Sequence, residues 1–424
     1  MDEVVYWIWL AESSTPDSST FPKLISHFKD AREVYDADLR EISRVIGFRT
    51  SDRSRLDNKD LTRAESIYDF CKRKGVGITY YGAPDYPAPL KKIPTPPVVL
   101  YYRGKLPDFT KSFLCSVVGT RNLSDYGRRA AFKTGYDLAS AGAVVVSGMA
   151  MGIDGVAMAG ALAAGGKTVA VLGSGIDVCY PEAHLTLARE TVKDGCVITE
   201  FAPGTKPGKY NFPKRNRIIS GLSSATIVIE GKEKSGALIT ARHALQQERA
   251  VYAFPGNVGV KNSELSLLLL KNGAKMFTTA EDIVKDFEKD FSSVLNPFKL
   301  KDTPAVDMFE ALNRYKVVSS CPSDEVFFPP RPKKRVRVNE EENTPAPKKQ
   351  PEAAEPNIEA EPPRELDSVA LKVYKRIPVS GDCPIEEIVC EEISMREVLR
   401  ALPKLEMHRL VELLPGERIK RKSR

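Results

Sequence analysis

The chain has 424 residues, enough for about two to four domains, and its 63 Lys and Arg against 56 Asp and Glu leave a formal charge of +7, which permits a polyanionic partner without demanding one. Seven cysteines (Cys71, Cys115, Cys179, Cys196, Cys321, Cys383 and Cys390), with no CxxC among them, argue against a disulfide framework or a cysteine zinc site and for a reducing compartment. Four widely spaced histidines argue against a histidine metal site or triad, and neither the acidic start Met1-Asp2-Glu3 nor the short apolar run 4–10 reads as a signal peptide or a span, so a cytoplasmic protein without metal or cofactor is expected.

Residues 1–110 read as a small helical domain followed by a connector. Leu24, Ile25, Phe28, Val34 and Leu39 have helical spacing, and Pro84, Pro87, Pro89, Pro94, Pro96 and Pro97 mark extended chain, because each proline fixes φ and removes a donor. Residues 111–290 alternate short apolar runs with helical stretches. The runs are 113–118, 143–147, 168–172, 196–200, 225–229 and 250–254, with a weaker one at 275–278. They are rich in Val, Ile and Ala, as strands buried on both faces should be. This β-α alternation predicts an α/β fold with a mainly parallel, doubly wound, Rossmann-like sheet.

Residues 291–365 read as a disordered linker, with nine prolines from Pro329 to Pro363 set among Lys and Glu, too polar to offset the entropy of ordering. Its Lys333-Lys334-Arg335 cluster reads as solvated charge. Residues 366–424 read as a winged-helix domain. Leu366, Val369, Val373 and Ile377 give one helical face. A second helix starts near Pro384, a third carries Val398, Leu399, Leu402 and Leu405, and residues 410–419 around Pro415-Gly416 form a hairpin.

Ligands of open α/β sheets bind outside the carboxyl ends of the strands. The loops there are Gly119-Thr120-Arg121-Asn122, Gly148 to Asp154, Gly173-Ser174-Gly175, a basic run, and Gly231 to Gly236 followed by Ala237 and Thr240. The basic run, Phe212-Pro213-Lys214-Arg215-Asn216-Arg217, puts three cations at a loop-to-helix junction, where the dipole and free N–H groups also favour an anion. Lys206 and Lys209 extend the charge upstream. Glycines allow close backbone approach, so the convergence of these loops predicts an anion pocket.

Two motifs are rejected. Residues 161–168 match a relaxed phosphate-loop pattern, but the order is helix, Gly-Lys-Thr, strand, the reverse of a working one, and Gly173-Ser174-Gly175 lacks the third glycine of a dinucleotide fingerprint, which Val178 replaces. Asp154 reads as a helix cap rather than a catalytic carboxylate.

The ordered series Val118-Gly119-Thr120-Arg121, Tyr126-Gly127, Ser147-Gly148-Met149-Ala150, Gly152-Ile153-Asp154, Ala170 to Gly173, Tyr180-Pro181, Phe212-Pro213, Arg215 to Ile219, Ser235 to Arg242 and Pro255-Gly256 resembles the DNA-processing protein A family (DprA, also called Smf). The likeness covers residues 113–287, with looser likeness of the tail to the family's winged helix and of the first 110 residues to its sterile-alpha-motif-like domain. It implies a non-enzymatic, single-stranded DNA-binding protein of natural transformation. Such a protein protects incoming DNA, helps load the RecA recombinase, works with or against single-stranded-DNA-binding protein, and forms a homodimer. Carried over by position, Gly119, Arg121, Ser147, Gly148, Lys214, Arg215, Asn216, Arg217 and Thr240 should line the DNA site.

Met158 stands where the family usually has a histidine, and Leu265 and Leu267 replace a glycine and an asparagine, leaving the greasy stretch 265–270 as either a dimer face or a buried helix. Residues 13–20 stand in place of a glycine-rich hairpin. Pro403 falls inside the third helix of the tail, against a recognition-helix role. Tyr210 and Phe212 are candidate stacking rings, although Phe212 could equally be core. The competing reading is a nucleotide-binding enzyme related to nucleoside-monophosphate phosphoribohydrolases, but the loop 234–240 holds no carboxylate for that chemistry. A pure interaction scaffold would leave the five ligand-facing loops unexplained.

Overall fold

The computed structural model describes residues 2–47, 51–300 and 306–318, together with parts of 368–421. The chain divides into two units, Met1–Lys333 and Lys334–Arg424. The first begins with six helices: α1 (Glu3–Ser13), α2 (Thr20–His27), α3 (Ala31–Asp36), α4 (Leu39–Ile46), α5 (Arg53–Asp57) and α6 (Thr62–Lys74). Asp30 and Asp38 cap α3 and α4 by accepting from the backbone N–H groups of the first turn. Trp7, Leu10, Phe21, Leu24, Val34 and Ile42 form a buried apolar centre.

Sequence reading places no strand in the first 110 residues, yet two are there. β1 (Gly77–Tyr80) and β2 (Val99–Gly104), separated by the short α7 (Ala88–Lys91), pair antiparallel and extend the main sheet. Trp7 of α1 stacks on Tyr80 of β1 at 5.4 Å, so the helical cluster and the sheet share one core.

The remaining strands are β3 (Leu114–Val118), β4 (Val144–Ser147), β5 (Thr168–Val171), β6 (Cys196–Thr199), β7 (Ala225–Val228), β8 (Ala250–Ala253) and β9 (Lys275–Met276). The sheet order is β1-β2-β6-β5-β4-β3-β7-β8-β9, parallel from β6 to β9. Every residue of β3 to β7 is buried, as the two-sided cover of helices requires. The helices are α8 (Asp125–Ser140), α9 (Ile153–Ala163), α10 (Leu185–Asp194), α11 (Asn211–Leu222), α12 (Gly236–Gln246), α13 (Glu264–Lys271) and α14 (Ala280–Phe287). Gly135 lets α8 lie directly on α9, because a Cβ there would fall 2.0 Å from the Ala157 carbonyl oxygen. The chain runs from β3 to β4 on one side and returns to β7 on the other, so the switch point lies at β3 and β7.

The segment read as linker is ordered at its start. α15 (Met308–Arg314) is capped by Asp307, packs on α9, and buries Ala311, Leu312 and Tyr315. Beyond it, the Val318 carbonyl accepts from Gly152 N–H, and Val318 N–H donates to His184 Nε2 at 3.1 Å. The Lys333-Lys334-Arg335 cluster and Pro403 lie outside the described residues.

In the second unit, the helix Ser368–Arg376 and the antiparallel sheet β10 (Asp382–Pro384), β12 (Arg418–Arg421) and β11 (Val411–Leu414) enclose Val373, Ile377, Val398, Leu405 and Ile419. The expected terminal hairpin is present as the β11–β12 pair. Pro384 ends strand β10 instead of opening an α-helix, and among the described residues a 3-10 turn, Ile385–Ile388, follows it.

Candidate functional site

A cavity of about 560 Å³ opens at the carboxyl ends of β3 and β7. The loop after β3 supplies Gly119, Thr120, Arg121 and Asn122, the loop after β4 supplies Ala150 and Asp154, α11 and the residues leading into it supply Lys209, Phe212, Arg215 and Asn216, and the loop after β7 supplies Lys232, Lys234 and Ser235, with Thr240 on α12. Five cations and one carboxylate therefore line the cavity among the described residues. The N-termini of α11 and α12 begin at its wall, and both add positive potential.

Gly119 has no room for a Cβ, which would stand 2.5 Å from Ile153 Cγ1 and 2.8 Å from the Glu230 carbonyl oxygen. Glu230 in turn fixes the same loop by accepting from the N–H and hydroxyl of Ser124. The floor is built on Arg215, which is 4% exposed. Its Nη1 donates to the Gly148 carbonyl at 2.8 Å and also to the Val171 carbonyl. Burial lowers its pKa to about 10, with Asp154 opposing and Arg121 assisting that fall, so it stays cationic at neutral pH. Asp154 sits in the first turn of α9 but does not cap it; it accepts from Gly148 N–H at 3.0 Å. Burial raises its pKa, against the pull of Arg215. The expected cap is thus a brace that ties Gly148 to Arg215.

Phe212 lines the wall, with the Arg121 guanidinium 5.5 Å and the Arg215 guanidinium 5.8 Å from its ring centre, and with Tyr180 at 5.4 Å. Tyr210 is 66% exposed beside it, under the Lys209 ammonium.

Of the residues expected from sequence, Gly119, Arg121, Arg215, Asn216 and Thr240 line the cavity, and Gly148 lines its narrow extension under Phe212. Asn216 also donates to the Gly236 carbonyl at 3.3 Å. Three residues stand elsewhere. Ser147 is fully buried and donates to the Val117 carbonyl at 2.7 Å, tying β4 to β3. Arg217 is 2% exposed and forms two bonds of 2.9 and 2.7 Å to Glu200, on the side of α11 away from the cavity. Lys214 pairs with Asp17 at 3.1 Å and donates to the Pro16 carbonyl. Leu265 is fully buried in the core beneath the β7 loop and cannot face a partner, whereas Leu267 is half-buried. Thr120, Asn122, Lys232, Lys234 and Ser235 were not singled out as ligands from sequence, although all lie in loops that sequence had marked.

Residues 77–288 match the family model described as DNA recombination-mediator protein A. The chain is 39% identical over 227 residues to the DNA processing protein DprA of Bacillus subtilis, covering 54% of this chain and 76% of that one. It is 42% identical over 203 residues to the Streptococcus pneumoniae DprA, covering 48% and 71% of the two chains. An X-ray structure of the S. pneumoniae DNA processing protein A superposes with a TM-score of 0.60 at 32% identity, covering 68% of this chain and 99% of that one. By sequence match and by fold, the chain belongs to the DNA recombination-mediator protein A (DprA/Smf) family.

Proposed function

We propose that this protein binds single-stranded DNA in the cavity at the β3/β7 switch point and serves natural transformation as a recombination mediator. The observation that carries this reading is the lining itself, five cations from three separate segments gathered around one aromatic wall. Phosphates would meet Arg121, Lys209, Lys232 and Lys234, with Arg215 behind them. A base would find the Phe212 ring, and stacking of this kind is worth about 1–3 kcal/mol per base. A single strand can turn its bases into a concave site, whereas a duplex keeps them paired and presents its backbone outward, so discrimination follows from shape. No sequence preference is expected, because phosphate contacts carry none directly.

The site is suited to binding rather than catalysis. Asp154, the one carboxylate lining it among the described residues, is buried and engaged with Gly148 rather than placed to attack a glycosidic bond. Protection of incoming DNA, loading of RecA, exchange with single-stranded-DNA-binding protein, homodimerisation and a winged-helix identity for the C-terminal unit complete the reading. Fluorescence anisotropy with matched single- and double-stranded oligonucleotides tests it. Strong preference for the single strand supports the proposal, and equal affinity for both forms defeats it.

A further inference from the structure

The basic run at the start of α11 is not all spent on the cavity, and Lys214 is its unexplained member. A lysine in the first turn of a helix is opposed by the dipole, and Lys214 sits there, 26% exposed, one residue after Pro213 of the cavity wall. Its charge is met from the N-terminal helices. The loop between α1 and α2 reaches across, placing Asp17 Oδ1 3.1 Å and the Pro16 carbonyl 3.2 Å from the ammonium.

That loop is shaped for the task. Asp17 adopts φ +66°, a left-handed conformation uncommon outside glycine but tolerated by Asp and Asn. On either side of it, Thr15 N–H donates to Asp52 at 3.0 Å and the Ser18 hydroxyl at 3.4 Å. The aspartate is therefore presented at a fixed point, while its ion pair stays 39% exposed on the acid side. Arg217, one turn on, is closed by Glu200 and buried, so it offers nothing further to a ligand. Lys214 differs in being open to exchange.

We infer that Lys214 is a phosphate subsite continuing the cavity toward the N-terminal helices, and that the Asp17 carboxylate occupies it in the free protein. A bound strand leaving the cavity over Pro213 displaces that carboxylate with a phosphate. The inference rests on the cavity being the single-strand site. Exposed ion pairs are weak, worth about 0.2–1 kcal/mol, so removing the competitor should tighten binding about 1.5- to fivefold. The Lys214–phosphate contact should contribute about 0.7 to the log–log salt slope, so its loss should flatten the slope by that much.

The test uses the full chain with a fluorescent oligothymidylate over a salt series. The variants are Asp17→Asn, Lys214→Gln, the double variant, and Arg121→Ala. Asparagine keeps the left-handed backbone and the local bonding while removing the charge. The expected result is tighter binding for Asp17→Asn, a gain absent in the Lys214→Gln background, and a flatter slope for Lys214→Gln. Unchanged affinity for Asp17→Asn overturns the inference, as does a gain that survives loss of Lys214, which would mark a general field effect. Weakened binding in Arg121→Ala together with an inert Asp17→Asn removes this subsite alone. Unweakened binding in Arg121→Ala removes the cavity reading beneath it.

Discussion

Arg217 carries the sharpest disagreement between the linear sequence and the folded chain, and the structure fixes what its loss should do. Its guanidinium meets the Glu200 carboxylate through two bonds of 2.9 and 2.7 Å, and the two side chains are 3% and 5% exposed. Removing one partner of such a buried pair leaves an uncompensated charge in a low-dielectric setting, at a cost of about 3–5 kcal/mol. Arg217→Met and Glu200→Leu should each lose about that much stability, whereas the double variant Arg217→Met/Glu200→Leu should recover most of it. The assay is urea unfolding of the two single variants and the double variant, read as a double-mutant cycle, beside single-strand affinity measured under folding conditions. Arg217→Met should be clearly destabilised yet bind the oligonucleotide as wild type does. An Arg217→Met protein with wild-type stability and lost DNA affinity would refute the structural role and return Arg217 to the ligand set.

Three further outcomes are expected. Gly119→Ala forces a Cβ to within 2.5 Å of Ile153 Cγ1, so overpacking should cost about 1–3 kcal/mol in thermal or chemical unfolding and weaken single-strand binding by shifting the β3 loop. Leu265→Ala should cost about 2–5 kcal/mol because the side chain is fully buried, and Leu267→Ala much less; similar costs at the two positions would contradict the inward and outward assignment. Burial disfavours ionisation of Asp52, but the bonds from Thr15, Thr20 and Arg55 outweigh it and bring its pKa from 3.8 to about 2. A depressed carboxylate contributes stability above its unfolded pKa and loses it as the pH falls. Wild type should therefore lose stability between pH 4 and about 2 relative to Asp52→Asn, and parallel pH profiles would count against the assignment.

The central strands were legible because β3 to β7 are short apolar runs buried on both faces, which leaves a signal free of alternation. β1 and β2 were not. They sit at the antiparallel edge, are mixed in burial, and flank a proline-rich stretch that reads as connector. α15 was hidden by its neighbours' composition, although Asp307 followed by Glu310 is a helix-start signature, and the Asp307 carboxylate does accept from both Phe309 and Glu310 N–H. The cationic site shows where linear density misleads. A helix turns about 100° per residue, so Lys214, Arg215 and Arg217 leave α11 in three directions, and Arg215 alone enters the cavity. The other cations at the wall come from loops far apart in sequence, brought together by the switch in strand order. Their loops were recognisable from glycine content and position after a strand. Which side chain each loop turns inward depends on packing partners such as Glu200, Asp17 and Glu230, and these have no sequence signature of their own.

The most direct test of the account is the salt dependence of single-strand affinity for wild type and Arg121→Ala. Each neutralised phosphate contributes about 0.7 to the slope for a single strand. Arg121→Ala should bind more weakly and flatten the slope by about one such contact, while the protein unfolds as wild type does. An Arg121→Ala protein with unchanged affinity and slope would show that the strand does not use this cavity.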